Sequence, residues 1–218
     1  MVPRSLGVAA LVAFAIGAAP LAAQYADPYA AALARLDANS RFAIELVMDS
    51  ARTVGLSDTT LRSRVLEGVQ KHASASRIVE SVRRKFAFLR TARTMLGQVS
   101  NEELDAASAV LEAGAKPAQL QSFKTRQKGR EALEAFTIWA DLITRGVPGE
   151  EASSAITKLW QDGADDATFH SLWNNVQADI SQGLNPGAAL QNRIRETPQR
   201  TVTPASKPPE GQEIQSSR

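Results

Sequence analysis

Cysteine is absent from the 218-residue chain. That excludes disulfides, a lipid anchor carried on an N-terminal cysteine, and the thiolate ligands common in structural zinc sites. Histidine is nearly as scarce, with His72 and His170 alone, and no His-Glu-x-x-His pair accompanies them. There is no Gly-x-Ser-x-Gly elbow, no Walker loop, no Gly-x-Gly-x-x-Gly and no EF-hand loop. A Ser-His-Asp triad converges only in three dimensions. Without an elbow, both histidines read as structural or solvent-facing. No residue is therefore assigned to catalysis, a cofactor or a metal, and a non-enzyme is expected. Convincing period-2 alternation is missing as well, which leaves no strand signal.

Long apolar runs are missing with one exception. Residues 1–23, MVPRSLGVAALVAFAIGAAPLAA, carry Arg4, an apolar stretch over residues 6–19, a Pro20 break and a small-residue end. This is the layout of a secretory signal peptide cleaved after Ala23. The stretch falls short of the ~20 residues that span a bilayer. A periplasmic or secreted protein with no transmembrane segment in its mature chain is expected. Residues 197–218, TPQRTVTPASKPPEGQEIQSSR, offer only Val202 and Ile214 as sizeable apolar side chains. Such a composition cannot offset its ordering entropy, so a disordered tail is expected. Residues 24–196 remain as a single all-helical domain, large enough for a real core.

What is present is helical periodicity nearly everywhere. A helix is expected from Pro28, continuing or bending at Asn39–Ser40. Ser57 caps a helix with Leu61, Val65 and Val69 on one face. Ser74 opens a longer one whose stripe is Ile78, Val82, Phe86, Leu89 and Leu96, ended by Gly97. Ser100 and Glu103 read as a Ser-x-x-Glu capping box. Pro117 and Pro148 suit first helical positions, Asp165 or Asp166 opens a further helix, and Asn185–Pro186 opens the last. Eight to ten helices result.

A weak internal repeat runs through them. HASASRI (72–78), GAKPAQL (114–120) and GADDATF (163–169) align as a helix-ending residue, an alanine, four small or polar residues and a large apolar one, at offsets of 42 and 49. The fold class is thus all-α, an irregular helical-hairpin repeat, solenoid-like or an orthogonal bundle. The spacing is similar in architecture to HEAT or armadillo arrays, which implies nothing about function.

The stretch KLWQDGADDATFHSLW gathers two of the three tryptophans and one histidine around three aspartates. Trp160 follows Ala152 and Ile156 at four-residue steps, Trp173 shares a face with Phe169, Val176 and Ile180, and Trp139 aligns with Phe136 and Ile143. All three occupy core-type positions. Asp162, Asp165 and Asp166 straddle Gly163, where an aspartate caps the next helix. The stretch reads as a corner of the fold.

The most informative chemistry is segregated charge. Residues 62–93 hold nine basic residues against Glu67 and Glu80, and residues 116–130 add five with no acid. Residues 131–182 reverse the sign, with nine acids against Arg145 and Lys158. Solvated helix faces explain such runs in ordinary cases. Basic clusters also bind nucleic acid, but export makes that partner unexpected. The leading expectation is a non-enzymatic binding or scaffold module of the bacterial cell envelope. Its basic middle would engage an anionic envelope component or acidic protein through Arg83, Arg84, Arg90, Arg93, Lys124, Arg126 and Lys128. The alternatives are an envelope glycan hydrolase using two carboxylates of the 131–182 region, a holdase for unfolded proteins, and self-association of basic with acidic regions.

Overall fold

The computed structural model describes residues 27–124 and 130–196. Every regular element among them is a helix: α1 (Pro28–Ala34), α2 (Ala38–Thr53), α3 (Thr59–Gln70), α4 (Ala75–Leu96), α5 (Asn101–Glu112), α6 (Pro117–Lys124), α7 (Leu133–Thr144), α8 (Gly149–Gln161), α9 (Asp166–Ser181) and α10 (Pro186–Glu196). The expected signal peptide with its Ala23 cleavage point, the expected tail at 197–218, and Arg126 and Lys128 lie outside the described residues. Among the described residues no helix is long and apolar enough to cross a membrane.

Six of the corners between helices share one backbone solution. At each, a residue with positive φ donates its N–H to the carbonyl three back, and the next residue donates to the carbonyl five back. The six residues are Gly55, His72, Gly114, Gly146, Gly163 and Gly183. The longer bonds run from Leu56 to Ala51, Ala73 to Gly68, Ala115 to Val110, Val147 to Leu142, Ala164 to Leu159 and Leu184 to Asp179, all between 2.9 and 3.1 Å. This is the Schellman geometry, which satisfies carbonyls that a helix end otherwise orphans. Three of these corners are the aligned stretches of the sequence; the other three follow the same rule with Leu or Val in place of Ala.

Several helix starts are secured by side chains, though α3, whose N-cap is Asp58 and not the expected Ser57, is not among them. The carboxylates of Asp27, Asp37 and Asp165 accept from the backbone N–H of Tyr29, Ser40 and Thr168 at 2.9–3.0 Å, and Asn185 does the same for Gly187 at 3.0 Å. The break falls at residues 35–37 and not at Asn39–Ser40, which lie inside α2: α1 ends at Ala34, and Asp37 caps the restart at Ala38. Hydrogen bonds from Ser40 hold the Asp37 carboxyl below the usual range. Ser74 occupies the start of α4 without making such a bond.

Every substantial packing joins helices one or two places apart in chain order, and α4 has the most neighbours, resting on α2, α3, α5 and α6. Its buried stripe, Ile78, Val82, Lys85, Leu89, Ala92 and Leu96, alternates steps of four and three, with Val79 buried beside it. This differs from the expected stripe. Lys85 is buried, and Phe86 packs only at the margin of the core. The physical reason is a set of carboxylates on α5 that meets Lys85, as described below.

Between α6 and α9 the core is aromatic. The Phe123 ring centre lies 5.0 Å from that of Phe136, 6.1 Å from Trp139 and 5.2 Å from Trp160, and Trp160 continues to Phe169 at 6.4 Å. Trp139 is fully buried with its indole N–H unpaired, and Trp160 is nearly so. Trp173 is half-buried beneath the Arg145 guanidinium, 5.5 Å away. The indoles are core, and Asp162 and Asp165 beside them bond to Lys158 and to the start of α9.

Candidate functional site: the cationic face of α4

Because the buried positions of α4 are fixed, its charges have defined places. Arg83 and Arg90 are seven residues apart, two helical turns, and so lie on one side; Arg77 and Arg84 form a second such pair. All four are exposed. Arg84 is engaged, since its Nη2 donates to Glu80 Oε1 at 2.6 Å. Arg77 and Arg83 make no ion pair. Arg90 has no carboxylate either; its guanidinium sits 5.7 Å over the Phe86 ring, a weak attraction that leaves its fork of donors outward.

The remaining proposed residues fall into two groups. Arg93 is half-buried at the end of α4, where Nη1 donates to Gln98 Oε1 at 2.6 Å and more loosely to the Gly97 carbonyl at 3.5 Å. It serves its own helix terminus, where positive charge is favourable. Lys124, at the end of α6, comes to the same place. Its Nζ is 2.9 Å from the point a Cβ on Gly97 would occupy. The structure therefore brings Arg93 and Lys124 together at the α4 terminus, with Arg90 nearby and Arg83 two turns further along.

Elsewhere the basic run is consumed internally. Arg62 pairs with Asp58 at 3.2 Å, and its guanidinium covers the Tyr29 ring at 4.7 Å. Burial raises the Tyr29 pKa, and the Arg62 charge opposes that rise. Lys71 bonds Glu67 at 2.6 Å, which lowers the Glu67 pKa. Arg64 reaches Glu112 at 2.5 Å. Lys85, only 3 % exposed, has Asp105 at 2.7 Å and Glu112 at 3.8 Å. Counting charges along the sequence overstated the free cations, because five of the nine in residues 62–93 meet a carboxylate: Arg62, Lys71 and Arg84 one turn away in the chain, Arg64 and Lys85 on α5.

The acids of 131–182 are similarly occupied. Glu150 bonds Lys116 at 2.6 Å, which lowers the pKa of the acid and raises that of the lysine. Glu151 accepts from Gln191 at 3.2 Å. Asp179 receives Arg193 in a two-pronged bond, 2.6 and 2.7 Å, that ties α9 to α10 and holds its carboxyl below the usual range. His170 Nε2 lies 3.1 Å from Glu134 Oε1 without hydrogen-bond geometry. Among the described residues no three acids or histidines come together in a way that could hold a metal ion.

Three contacts of buried charged side chains escaped sequence reading: Lys85–Asp105, Asp179–Arg193, and the bond from Ala132 N–H to Glu103 Oε1 at 3.0 Å. Only the first had a local signal, since residue 85 falls on the four-three spacing of the α4 stripe. The capping box is correspondingly half made. Ser100 Oγ accepts from the Glu103 N–H at 3.1 Å, while the Glu103 carboxylate crosses to the start of α7.

No known protein family, curated protein or solved structure matches this chain.

Proposed function

We propose that the chain is an exported, non-enzymatic helical scaffold of the bacterial cell envelope, built as an irregular stack of hairpins, that engages an anionic partner through α4. Arg83 and Arg90 are the primary contacts, with Lys124 and Arg93 at the end of the helix. The carrying observation is a contrast within the basic run of α3 and α4. Arg83 and Arg90 are exposed and face no carboxylate, whereas Arg62, Arg64, Lys71, Arg84 and Lys85 all meet one. An unpaired guanidinium keeps its planar fork for a phosphate or carboxylate. The corners shared along the chain, and packing confined to near neighbours, support the stacked-hairpin reading. The apolar run at residues 1–23 supports export.

Co-sedimentation with phosphatidylglycerol vesicles tests the reading, with phosphatidylcholine vesicles as the neutral control. Binding to the anionic vesicles should fall steeply between about 50 and about 300 mM salt, because exposed contacts are screened over ~8 Å near physiological ionic strength. Reversing both arginines (Arg83→Glu with Arg90→Glu) should abolish it, while Arg62→Glu should not. Binding that ignores salt, or that survives the double reversal, counts against α4. An acidic protein partner would show instead as no vesicle binding with retention on a carboxylate exchanger that the double reversal removes.

A further inference from the structure

Among the described residues five large apolar side chains are exposed, and three of them, Phe42, Leu46 and Val54, lie on α2 or on the residue that caps its end. Phe42 and Leu46 sit one turn apart in mid-helix and are 63 % and 50 % exposed. The other two, Leu133 and Leu184, stand singly at a helix start and beside a corner. The inner side of α2 buries Ile44, Val47, Met48 and Ala51, and α4 is the only helix on which α2 packs substantially. Its outer side carries a second stripe, Asn39, Phe42, Leu46, Asp49 and Thr53, all exposed. The steps alternate three and four, the spacing of a seam between two helices. Large apolar residues hold the middle of the seam and polar ones its ends. The middle forms one contiguous patch that only a partner can withdraw from water.

The polar groups around that patch indicate which partner. Arg41 and Glu45 flank the seam on one side, one turn apart. Neither side chain makes an ion pair or a hydrogen bond. Laid antiparallel against a second copy of itself, about a two-fold axis at the level of Ile44, the seam is self-complementary. Phe42 of each copy covers Leu46 of the other, and Asn39 meets Asp49, an amide donor opposite a carboxylate. On the flank, Arg41 of each copy reaches Glu45 of the other, so the two glutamates nearest the axis are bracketed by two arginines. A parallel pairing would instead oppose Arg41 to Arg41 and Asp49 to Asp49. We infer that the outer face of α2 is a homodimer interface, on which a second copy of this chain packs antiparallel across Phe42 and Leu46. This face shares no residue with the cationic face of α4 and goes beyond the reading given above. A single helix seam buries less than the roughly 1,200 Å² of stable complexes, so the dimer is weak, with a Kd of about 100 μM.

Sedimentation equilibrium of the full chain from about 5 to about 500 μM tests this, a range that brackets the expected weakness. The average mass should rise from that of one 23.4 kDa chain toward that of two, and no further, because a two-fold contact closes on itself. Phe42→Asp should weaken the association at least about tenfold at an unchanged thermal midpoint. Arg41→Glu or Glu45→Arg alone lines the axis with four like charges and should also weaken it at least about tenfold. Exchanging the two, Arg41→Glu with Glu45→Arg, restores the alternation and should return the Kd to within about threefold. Such a rescue is specific to a second copy, since any other occupant would meet the exchanged charges in the wrong order. Should Phe42→Asp fail to fold, the exchange decides the matter by itself. A chain that stays single throughout, a mass that climbs beyond two, single reversals without effect, or an exchange that does not rescue would overturn the inference. An amphipathic helix of another protein as the true occupant would show as the first of these. Arg83→Glu with Arg90→Glu should leave the Kd unchanged; loss of association in that variant would put the contact on α4 and overturn the inference as well.

Discussion

The helices around α4 and those around Phe123 turn the same corners but are filled by different chemistry. Around α4 the interior is aliphatic, with Ile44, Met48, Leu61, Ile78 and Val82 fully or nearly fully buried. It also admits a lysine, held by Asp105 and Glu112. Around Phe123 the interior is a run of aromatic rings, with the Arg130 guanidinium 4.0 Å over the Trp160 ring at its edge. The corners set the path of the chain through backbone hydrogen bonds that do not depend on what fills the core. The filling then decides how each region responds to substitution: by lost packing in one, by stranded charge in the other.

The largest expected effect breaks the aromatic side. Phe123→Ala removes the ring that touches Phe136, Trp139 and Trp160, and should cost about 3–5 kcal/mol in urea unfolding. A loss below about 1 kcal/mol would mean that the rings do not act as one unit.

On the α4 side the expectation is asymmetric. Asp105→Ala strands a buried ammonium and should cost about 2 kcal/mol. That is less than the 3–5 of a fully enclosed pair, because the Asp105 carboxylate is 43 % exposed and Glu112 remains nearby. Lys85→Met, which removes the charge but keeps the volume, should change stability by less than about 1 kcal/mol in either direction. Chemical denaturation of both variants at neutral pH checks the order; the reverse order would show the lysine to be a net stabiliser.

The smallest effect concerns what the two regions share. His72 is the one corner residue among the six that carries a side chain, at φ 54°. His72→Gly should therefore stabilise by about 0.5–1 kcal/mol, the left-handed cost less the entropy of glycine. Gly183→Ala should destabilise by about 1 kcal/mol for the same reason with the sign reversed. Thermal midpoints of the two variants moving in the same direction would contradict a common corner geometry.

Legibility in the sequence followed the range of the interaction. His72, Gly114 and Gly163 could be aligned by eye because a Schellman corner is specified by residues that sit beside one another. Gly55, Gly146 and Gly183 obey the same rule, but a search fixed on a following alanine passes over Leu56, Val147 and Leu184. Glu103 shows the limit. Its spacing from Ser100 fits a capping box, yet its carboxylate bonds Ala132, 29 residues away. The candidate site was legible only as a list of cations. Which of them are free depends on Glu80, Asp105 and Glu112, and of these only Glu80 lies on the same helix.

By itself the sequence determined the helical class, the corners and the caps, since each rests on contacts within a few residues, where spacing along the chain equals position in space. Tertiary structure alone decided which carboxylates meet Lys85, that Arg83 and Arg90 stay unpaired, and that the Glu103 carboxylate serves the start of α7. Those outcomes depend on which side chains other helices bring within a few ångströms, and no periodicity within one helix records its neighbours.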